Sequence, residues 1–177
     1  MRPADLTPVA RDVMKLPASA GLMFFSLLLG YMVSALPWGG RWLLTRPDVL
    51  LIVLIFWTVH EPRSIGQGMA FFMGLLMDVS DSMLLGQHAL AYVVAVFGAQ
   101  VLRHRILGFP LPEQTLHVLG LTLAASFTLL LLNLALGADA PSGIFLLSPV
   151  ITAFLWAPAH WILYSPAVRR RRREVGS

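Results

Sequence analysis

Two carboxylates, Asp78 and Asp81, stand inside an apolar stretch, GLLMDVSDSMLLGQHAL, that runs from Gly74 to Leu90. Paired carboxylates can bind a cation, relay protons or act as general acid and base. The sequence offers no HExxH pair, glycine-rich phosphate loop or GxSxG motif as a partner for such chemistry, and only His88 is expected to approach the pair. We therefore predict no catalytic, cofactor-binding or metal site, with ion or proton coupling as the alternative to a structural role.

Small side chains precede Asp78 at helical spacing. Steps of four residues backward from Asp78 lead to Gly74, Ala70 and Gly66, which share one side of a helix. This set, called the small-residue face below, would let a second helix approach closely. Burial in such a contact would keep Asp78 away from lipid, where a charged group is costly. The pattern predicts that this helix packs tightly against another one.

Asp81 has two interpretations. It could continue the side of the helix that carries Asp78, or Asp81 or Ser82 could cap the next helix. A carboxylate is unfavourable at the C-terminal end of a helix and favourable at the N-terminal end. We therefore predict that Asp81 caps the fourth helix.

The composition indicates a membrane protein. Hydrophobic residues make up 57% of the 177 residues and charged residues 12%, and the mean hydropathy is +0.74. Soluble domains have roughly 45–50% apolar and about 25% charged residues. The chain has no cysteine, which excludes disulfides and thiolate metal sites.

Six apolar stretches predict an all-α integral membrane protein with six transmembrane helices in one bundle. The predicted spans are 18–36, 47–60, 64–79, 84–102, 115–136 and 143–164. The second span would rise only about 21 Å as a helix, against about 30 Å of hydrocarbon. A re-entrant hairpin from Pro47 to Asp78, turning at 60–63, is the alternative for the second and third spans.

Lysine and arginine set the expected orientation, because they concentrate in cytoplasmic loops. With both termini cytoplasmic, Arg41 and Arg46 alone lie on the outer side. The inner side then holds the other basic residues: Arg2, Arg11, Lys15, Arg63, Arg103, Arg105 and 169–173. The turn that carries Asp78 and Asp81 consequently faces outward.

Three regions follow from these spans: a cytoplasmic interfacial lead-in at 1–17, a six-helix membrane domain at 18–166 and a basic cytoplasmic tail at 167–177. The tail is expected to bind anionic lipid headgroups at about 1 kcal/mol per arginine. Nucleic acid is not expected as a partner, because no aromatic platform accompanies the basic run. The arginines of the run are Arg169, Arg170, Arg171, Arg172 and Arg173.

The stretch from Arg46 to Leu90 resembles the MreD family of bacterial rod-shape-determining membrane proteins. The strongest part of the likeness is Gly-Leu-x-x-Asp at Gly74 to Asp78, followed by Leu-Gly-x-x-Ala-Leu at Leu85 to Leu90. The other matching positions are Arg46, Pro47, Asp48, Trp57, Glu61, Pro62, Arg63, Gly66 and Gly68.

The resemblance implies a non-enzymatic scaffold subunit of the lateral cell-wall elongation machinery, required for rod shape, in the bacterial cytoplasmic (inner) membrane. It implies MreC as a direct partner, together with MreB, the RodA glycosyltransferase and a class B penicillin-binding transpeptidase. The family is also similar in helix arrangement to the membrane substrate-binding subunits of vitamin transporters. A small-solute binding or transport subunit is therefore the alternative function, and a homo-oligomer is left open.

The resemblance and the small-residue face together give a docking hypothesis. Gly66, Ala70 and Gly74 would set the packing distance to the single transmembrane helix of MreC, and Asp78 would determine its register. The outward turn, with Asp81, Leu85 and Gly86, would complete the docking surface.

Overall fold

The computed structural model describes residues 19–36, 45–137 and 143–164, and within these ranges its regular structure is helical, without strands. The predicted lead-in at 1–17 and the arginines of the tail lie outside the described residues. The helices are α1 (Ala20–Ser34), α2 (Val49–His60), α3 (Gln67–Ser80), α4 (Gln87–Gly108), α5 (Leu111–Ala135) and α6 (Leu147–Phe154). A short 3-10 turn, Gly143–Leu146, leads into α6, and residues 156–164 continue as a helix.

All six predicted apolar stretches form helices, although two boundaries differ. The helix α4 continues to Gly108 instead of ending at 102, and α5 begins at Leu111 instead of 115. Pro112 and Glu113 lie in the first turn of α5. There a missing N–H costs nothing and a carboxylate interacts favourably with the helix dipole, so polar and proline residues do not delay the start of the helix.

The helix α2 is the centre of the bundle. Its sequence is apolar all round, and the ten residues from Leu50 to Val59 are buried. It packs mainly against α1 and α4, whereas α3 packs mainly against α4. The helices α2 and α3 do not pack closely against each other. Whether they are two spans or the re-entrant hairpin stays a prediction.

Successive helices alternate in direction, so their ends form two groups. One group, called the Asp81 end, consists of the N-terminal ends of α2, α4 and α6 and the C-terminal ends of α1, α3 and α5. Hydrogen bonds tie it together, including the one that Leu50 N donates to Ser34 Oγ at 3.0 Å. The opposite group, called the His60 end, is joined by bonds such as that from Arg103 Nε to the carbonyl oxygen of Val59 at 2.7 Å. Arg103 thereby satisfies a carbonyl group that the C-terminus of α2 leaves unpaired.

The last helical stretch is interrupted at Leu155, three residues before Pro158. A proline ring clashes with the carbonyl group four residues earlier and cannot donate to it, which here disturbs Phe154. The helix resumes beyond the break, with Ala159 N donating to Leu155 O at 3.0 Å. Pro149 causes no comparable break because it lies in the first turn of α6.

Within the described ranges, three stretches are long and apolar enough to cross a membrane, namely Gln87–Gly108, Leu111–Ala135 and Ile144–Tyr164. The helices α1 and α2 are apolar but shorter. Twelve residues rise about 18 Å, well short of about 30 Å of hydrocarbon, so α2 depends on its neighbours to cover its ends.

A close helix approach at Gly30 gives a test of this packing. A Cβ atom on Gly30 would lie 3.3 Å from the Cα atom of Leu50 in α2, whereas one on Gly21 would meet nothing within 4 Å. We predict that Gly30→Leu lowers the free energy of unfolding by about 1–3 kcal/mol through overpacking. Gly21→Leu in the same helix should be neutral or slightly stabilising. Unfolding of the detergent-purified variants by sodium dodecyl sulfate measures the difference, and equal stabilities would contradict the α1–α2 contact.

Candidate functional site

Asp78 caps the start of α4, although it belongs to the last turn of α3. Its side chain is fully buried, and its two oxygens accept hydrogen bonds from Gly86 N and His88 N, each at 2.7 Å. The first N–H groups of a helix have no partner within the helix, and a carboxylate there also interacts favourably with the helix dipole. Asp78 is buried against a neighbouring helix, as predicted, and the two N–H donors offset the cost of that burial.

The small-residue face packs against α4 of the same chain. Ala70 is fully buried, and a Cβ atom on Gly74 would lie 2.5 Å from Ala89 N and 2.7 Å from the carbonyl carbon of His88. Gly66 is different, because it precedes α3 as its N-cap. A Cβ atom on Gly66 would lie 3.6 Å from a side-chain atom, Gln100 Nε2, which is an ordinary contact distance. A tight helix contact was predicted correctly, but its partner is α4. Docking of a helix from another chain on this face stays a prediction, and it would require α3 and α4 to separate.

The prediction that Asp81 caps the fourth helix is wrong. The residue that precedes α4 is Gly86, with a φ of 107° that favours glycine, while Asp81 follows α3 as its C-cap. The side chain of Asp81 turns instead to Arg46, whose Nη1 and Nη2 donate to Oδ1 and Oδ2 at 2.9 and 2.5 Å. A guanidinium group satisfies both carboxylate oxygens, so the unfavourable position at the end of α3 is offset by a direct ion pair.

The Arg46–Asp81 ion pair is mostly shielded from solvent. The exposed fractions of the two side chains are 14% and 17%. The hydrogen bond with Asp81 raises the pKa of Arg46, and burial acts in the opposite direction. Arg46 therefore stays charged at any physiological pH, and its carbonyl oxygen accepts from Ser148 Oγ at 2.6 Å, which links the pair to α6.

Asp48 forms a second junction close by. It caps α2 by accepting from Leu51 N at 2.9 Å through Oδ1, and it accepts from Tyr92 Oη of α4 at 2.7 Å through Oδ2. Its backbone N–H donates to Thr152 Oγ1 of α6 at 2.9 Å. One residue thus joins three helices at the Asp81 end.

His88 approaches both aspartates, as expected from the sequence. Its Nδ1 is 3.0 Å from Asp78 Oδ1, and its Nε2 is 3.7 Å from Asp81 Oδ2. The distance between Nδ1 and Asp78 Oδ1 is that of a hydrogen bond. The contact to Asp81 is too long for a hydrogen bond.

A cavity of about 430 Å³, called the Asp48 cavity below, opens beside these residues at the Asp81 end. Its polar lining includes Arg46, Asp48, Asp81, His88 and Tyr92. Its apolar lining includes Leu51, Leu129, Leu130, Phe145 and Pro149. In the part of the chain that the structure describes, no three histidine or acidic side chains are grouped as metal ligands.

The predicted site residues occupy distinct positions in this arrangement. Ala70, Gly74 and Asp78 lie in the α3–α4 contact, Gly66 at the opposite end of α3, and Leu85 is 69% exposed. The predicted lipid-binding arginines, Arg169, Arg170, Arg171, Arg172 and Arg173, lie outside the described residues.

Sequence reasoning missed Arg46, Asp48 and Tyr92 as members of the site. Two signals were present: Arg46 was one of two basic residues assigned to the side of Asp81, and Asp48 directly precedes a helical apolar run, the usual place of an N-cap. Tyr92 carried no comparable signal.

These observations define a class of protein: a small helical membrane protein with a buried charge cluster and a cavity at one end of its bundle. The sequence matches the family described as rod shape-determining protein MreD over residues 18–164. The chain therefore belongs to the MreD family, whose members are membrane proteins that determine rod shape and are not a known family of enzymes.

A local match supports the family assignment. The rod shape-determining protein MreD of Haemophilus influenzae (strain ATCC 51907 / DSM 11121 / KW20 / Rd) is 26% identical over 80 residues, which make up 43% of this chain and 49% of that relative. The match thus spans about half the length of the curated relative. No solved structure matches the chain, so the expected likeness to vitamin-transporter subunits has no support from known structures.

The α3–α4 contact can be tested at Gly74. We predict that Gly74→Ala lowers the free energy of unfolding by about 1–3 kcal/mol, because the backbone of α4 cannot move away cheaply from a new Cβ atom. Gly68→Ala in the same helix meets nothing within 4 Å and should gain up to about 1 kcal/mol from helix propensity. Unfolding in sodium dodecyl sulfate compares the two variants, and equal stability of the two would refute the close contact.

The Arg46–Asp81 ion pair can be measured by a double-mutant cycle with Arg46→Met and Asp81→Asn. We expect a coupling energy of about 1–3 kcal/mol, because the pair is bidentate and largely shielded. The readout is the unfolding free energy of the wild type, both single variants and the double variant. A coupling below about 0.5 kcal/mol would indicate that the two charges are solvated independently.

Proposed function

We propose that the chain is a non-enzymatic scaffold subunit of the machinery that elongates the lateral cell wall of rod-shaped bacteria, located in the cytoplasmic (inner) membrane. The observation that carries this proposal is the family match over residues 18–164. The partners proposed are MreC as the direct one, with MreB, the RodA glycosyltransferase and a class B penicillin-binding transpeptidase in the same assembly.

The proposed topology has six membrane-crossing helices, both termini in the cytoplasm and the Asp81 end facing the periplasm. Charge in the described residues supports it, because Arg63, Arg103 and Arg105 belong to loops and helix termini of the His60 end, and Arg46 is the basic residue at the other end. Positive charge concentrates on the cytoplasmic side of membrane proteins.

The α3–α4 contact bears on where MreC would dock. Because Ala70 and Gly74 already pack on α4, the side of α3 that is free for a partner is the opposite one, where Phe72 and Val79 are 55% and 67% exposed. Seven residues separate these two, so they share a helix side. Leu84 and Leu85, in the turn that follows, are 62% and 69% exposed.

We define Phe72, Val79, Leu84 and Leu85 as the junction surface and propose it as the docking site for the transmembrane helix of MreC. The role of Gly74 and Asp78 in this proposal is indirect. Gly74 sets the distance between α3 and α4, and Asp78 holds the turn between them by capping α4, so the junction surface keeps one shape. A preorganised surface binds with a smaller loss of conformational entropy.

The alternative function, a small-solute binding or transport subunit, is favoured by one observation, the Asp48 cavity. Its volume of about 430 Å³ falls within the range of small-molecule sites, roughly 300–1,000 Å³. Ligand binding there and a scaffold role are compatible, since the junction surface and the cavity use different residues.

Crosslinking tests the docking site. The chain has no native cysteine, so single cysteines can be placed at 85 and, as a control at the His60 end, at 109, where Phe109 is 43% exposed. After labelling with a benzophenone maleimide in membranes that also contain MreC, we predict a strong MreC adduct from position 85 and little from 109.

An adduct from position 109 as strong as that from 85 would contradict docking at the junction surface. It would not contradict the scaffold role. The scaffold role has its own test, which is expression of the chain in a rod-shaped bacterium depleted of its own MreD. Restored rod shape is the expected result, and cells that stay round although the chain is present in the membrane would count against the scaffold.

A further inference from the structure

The Asp48 cavity follows from the shortness of the central helix. The helix α2 begins at Val49 and rises about 18 Å, so the space beyond its N-terminus is enclosed by the longer α4, α5 and the last helical stretch. The cavity lies at that place and is lined by Asp48 and Leu51 of α2, Tyr92 of α4, Leu129 of α5 and Thr152 of α6. It is therefore a feature of the fold.

The charges around the cavity do not balance. Asp48 and Asp81 line it, and Asp78 lies directly behind His88. Arg46 is the one permanently positive group among these residues. With ionised carboxylates the group carries a formal charge of −1 if His88 is protonated and −2 if it is neutral. Burying uncompensated negative charge is costly, so a cation at this place would be stabilised.

The hydrogen-bonding capacity points to the same kind of ligand. Each carboxylate oxygen can accept more than one hydrogen bond. Asp48 Oδ1 and Oδ2 accept one each from the chain, from Leu51 N and Tyr92 Oη. The Nη1 and Nη2 atoms of Arg46 each donate one hydrogen bond to Asp81. Asp48 can therefore accept further hydrogen bonds from a donor group in the cavity.

The opposite wall is apolar. Leu129 and Leu130 of α5 line it together with Phe145 and Pro149, which belong to the approach to α6 and its first turn. A ligand that fits must therefore combine one positive, donating group with an apolar body. Sites of this kind, mostly apolar with a few placed polar groups, are typical of small-molecule pockets.

We infer that the Asp48 cavity binds a small amphiphile, whose primary ammonium group donates to Asp48 and whose apolar part lies against Leu129 and Phe145. An ammonium group supplies three donors for the free acceptors of Asp48, and its one positive charge reduces the negative formal charge of the group. Either a free amine or the ethanolamine headgroup of a lipid could supply this chemistry. The inference does not rest on the scaffold role, because it concerns the chain without partners.

The test uses the full chain purified in detergent, with n-hexylammonium as the probe and thermal unfolding as the readout. Hexylammonium should raise the unfolding temperature of the wild type in a saturable way, because a ligand that binds only the folded state stabilises it. The neutral hexanol and the anionic hexanoate, with the same apolar chain, should give no comparable shift. An equal shift from either would show unspecific partitioning and overturn the inference.

Two variants locate the site. Asp48→Asn keeps an acceptor for capping α2 but removes the negative charge, and it should abolish the shift caused by hexylammonium. Ser126→Phe fills the cavity from its α5 wall without changing charge, and it should also abolish the shift caused by hexylammonium. This variant decides the test if Asp48→Asn fails to fold. Glu113→Gln, an exposed acid at the His60 end, is the matched control and should leave the shift unchanged. Shifts retained in both cavity variants would overturn the inference.

Two short-chain lipids then show whether a lipid headgroup supplies the ammonium group. Dihexanoyl-phosphatidylethanolamine should stabilise the wild type and not Asp48→Asn if the headgroup enters the cavity. Dihexanoyl-phosphatidylcholine, whose quaternary ammonium has no N–H to donate, should not. Stabilisation by hexylammonium without any effect of the ethanolamine lipid would assign the site to free amines.

Discussion

The start of α4 presents backbone N–H groups that have no partner within the helix, and Asp78 supplies the acceptors for two of them. This interaction needs α3 and α4 to be close, and Gly74 permits that because it has no side chain where the backbone of Ala89 passes. The carboxylate is buried in the process, so it cannot be left without those donors at low cost. The hydrogen bonds between the Asp78 carboxylate and the N–H groups at the start of α4 therefore hold the α3–α4 turn in one shape.

Other parts of the Asp81 end depend on that shape. With the turn held, Asp81 at the end of α3 reaches Arg46, and Arg46 in turn accepts from Ser148 through its carbonyl oxygen. His88, in the first turn of α4, lies between the two aspartates. These contacts bring together polar groups of α3, α4 and α6 and of the segment before α2, and hydrogen-bond partners are what buried polar groups need to be stable.

The length of α2 is the second constraint. A helix of twelve residues that is buried on all sides must sit inside the bundle, and it cannot fill the bundle from one end to the other. At the His60 end, side chains close the gap, including the buried Trp156, whose Nε1 donates to Gln114 Oε1 at 3.0 Å. At the other end the Asp48 cavity remains, lined by charges on one side and by aliphatic side chains on the other. The site and the fold therefore have the same physical origin.

The sequence by itself determined the six helices, because apolar runs of sufficient length specify helices locally, and it determined that Asp78 would be buried in a tight helix contact. It misplaced Asp81, since the dipole argument compared only the two nearest helix ends and Arg46 lies 35 residues away in the chain. Tertiary structure alone decided that the partner of Gly74 is α4 of the same chain and that Asp48 meets Tyr92. Spacing along one helix shows that a face is suited to close packing, but only the three-dimensional arrangement of all the helices selects which backbone occupies it.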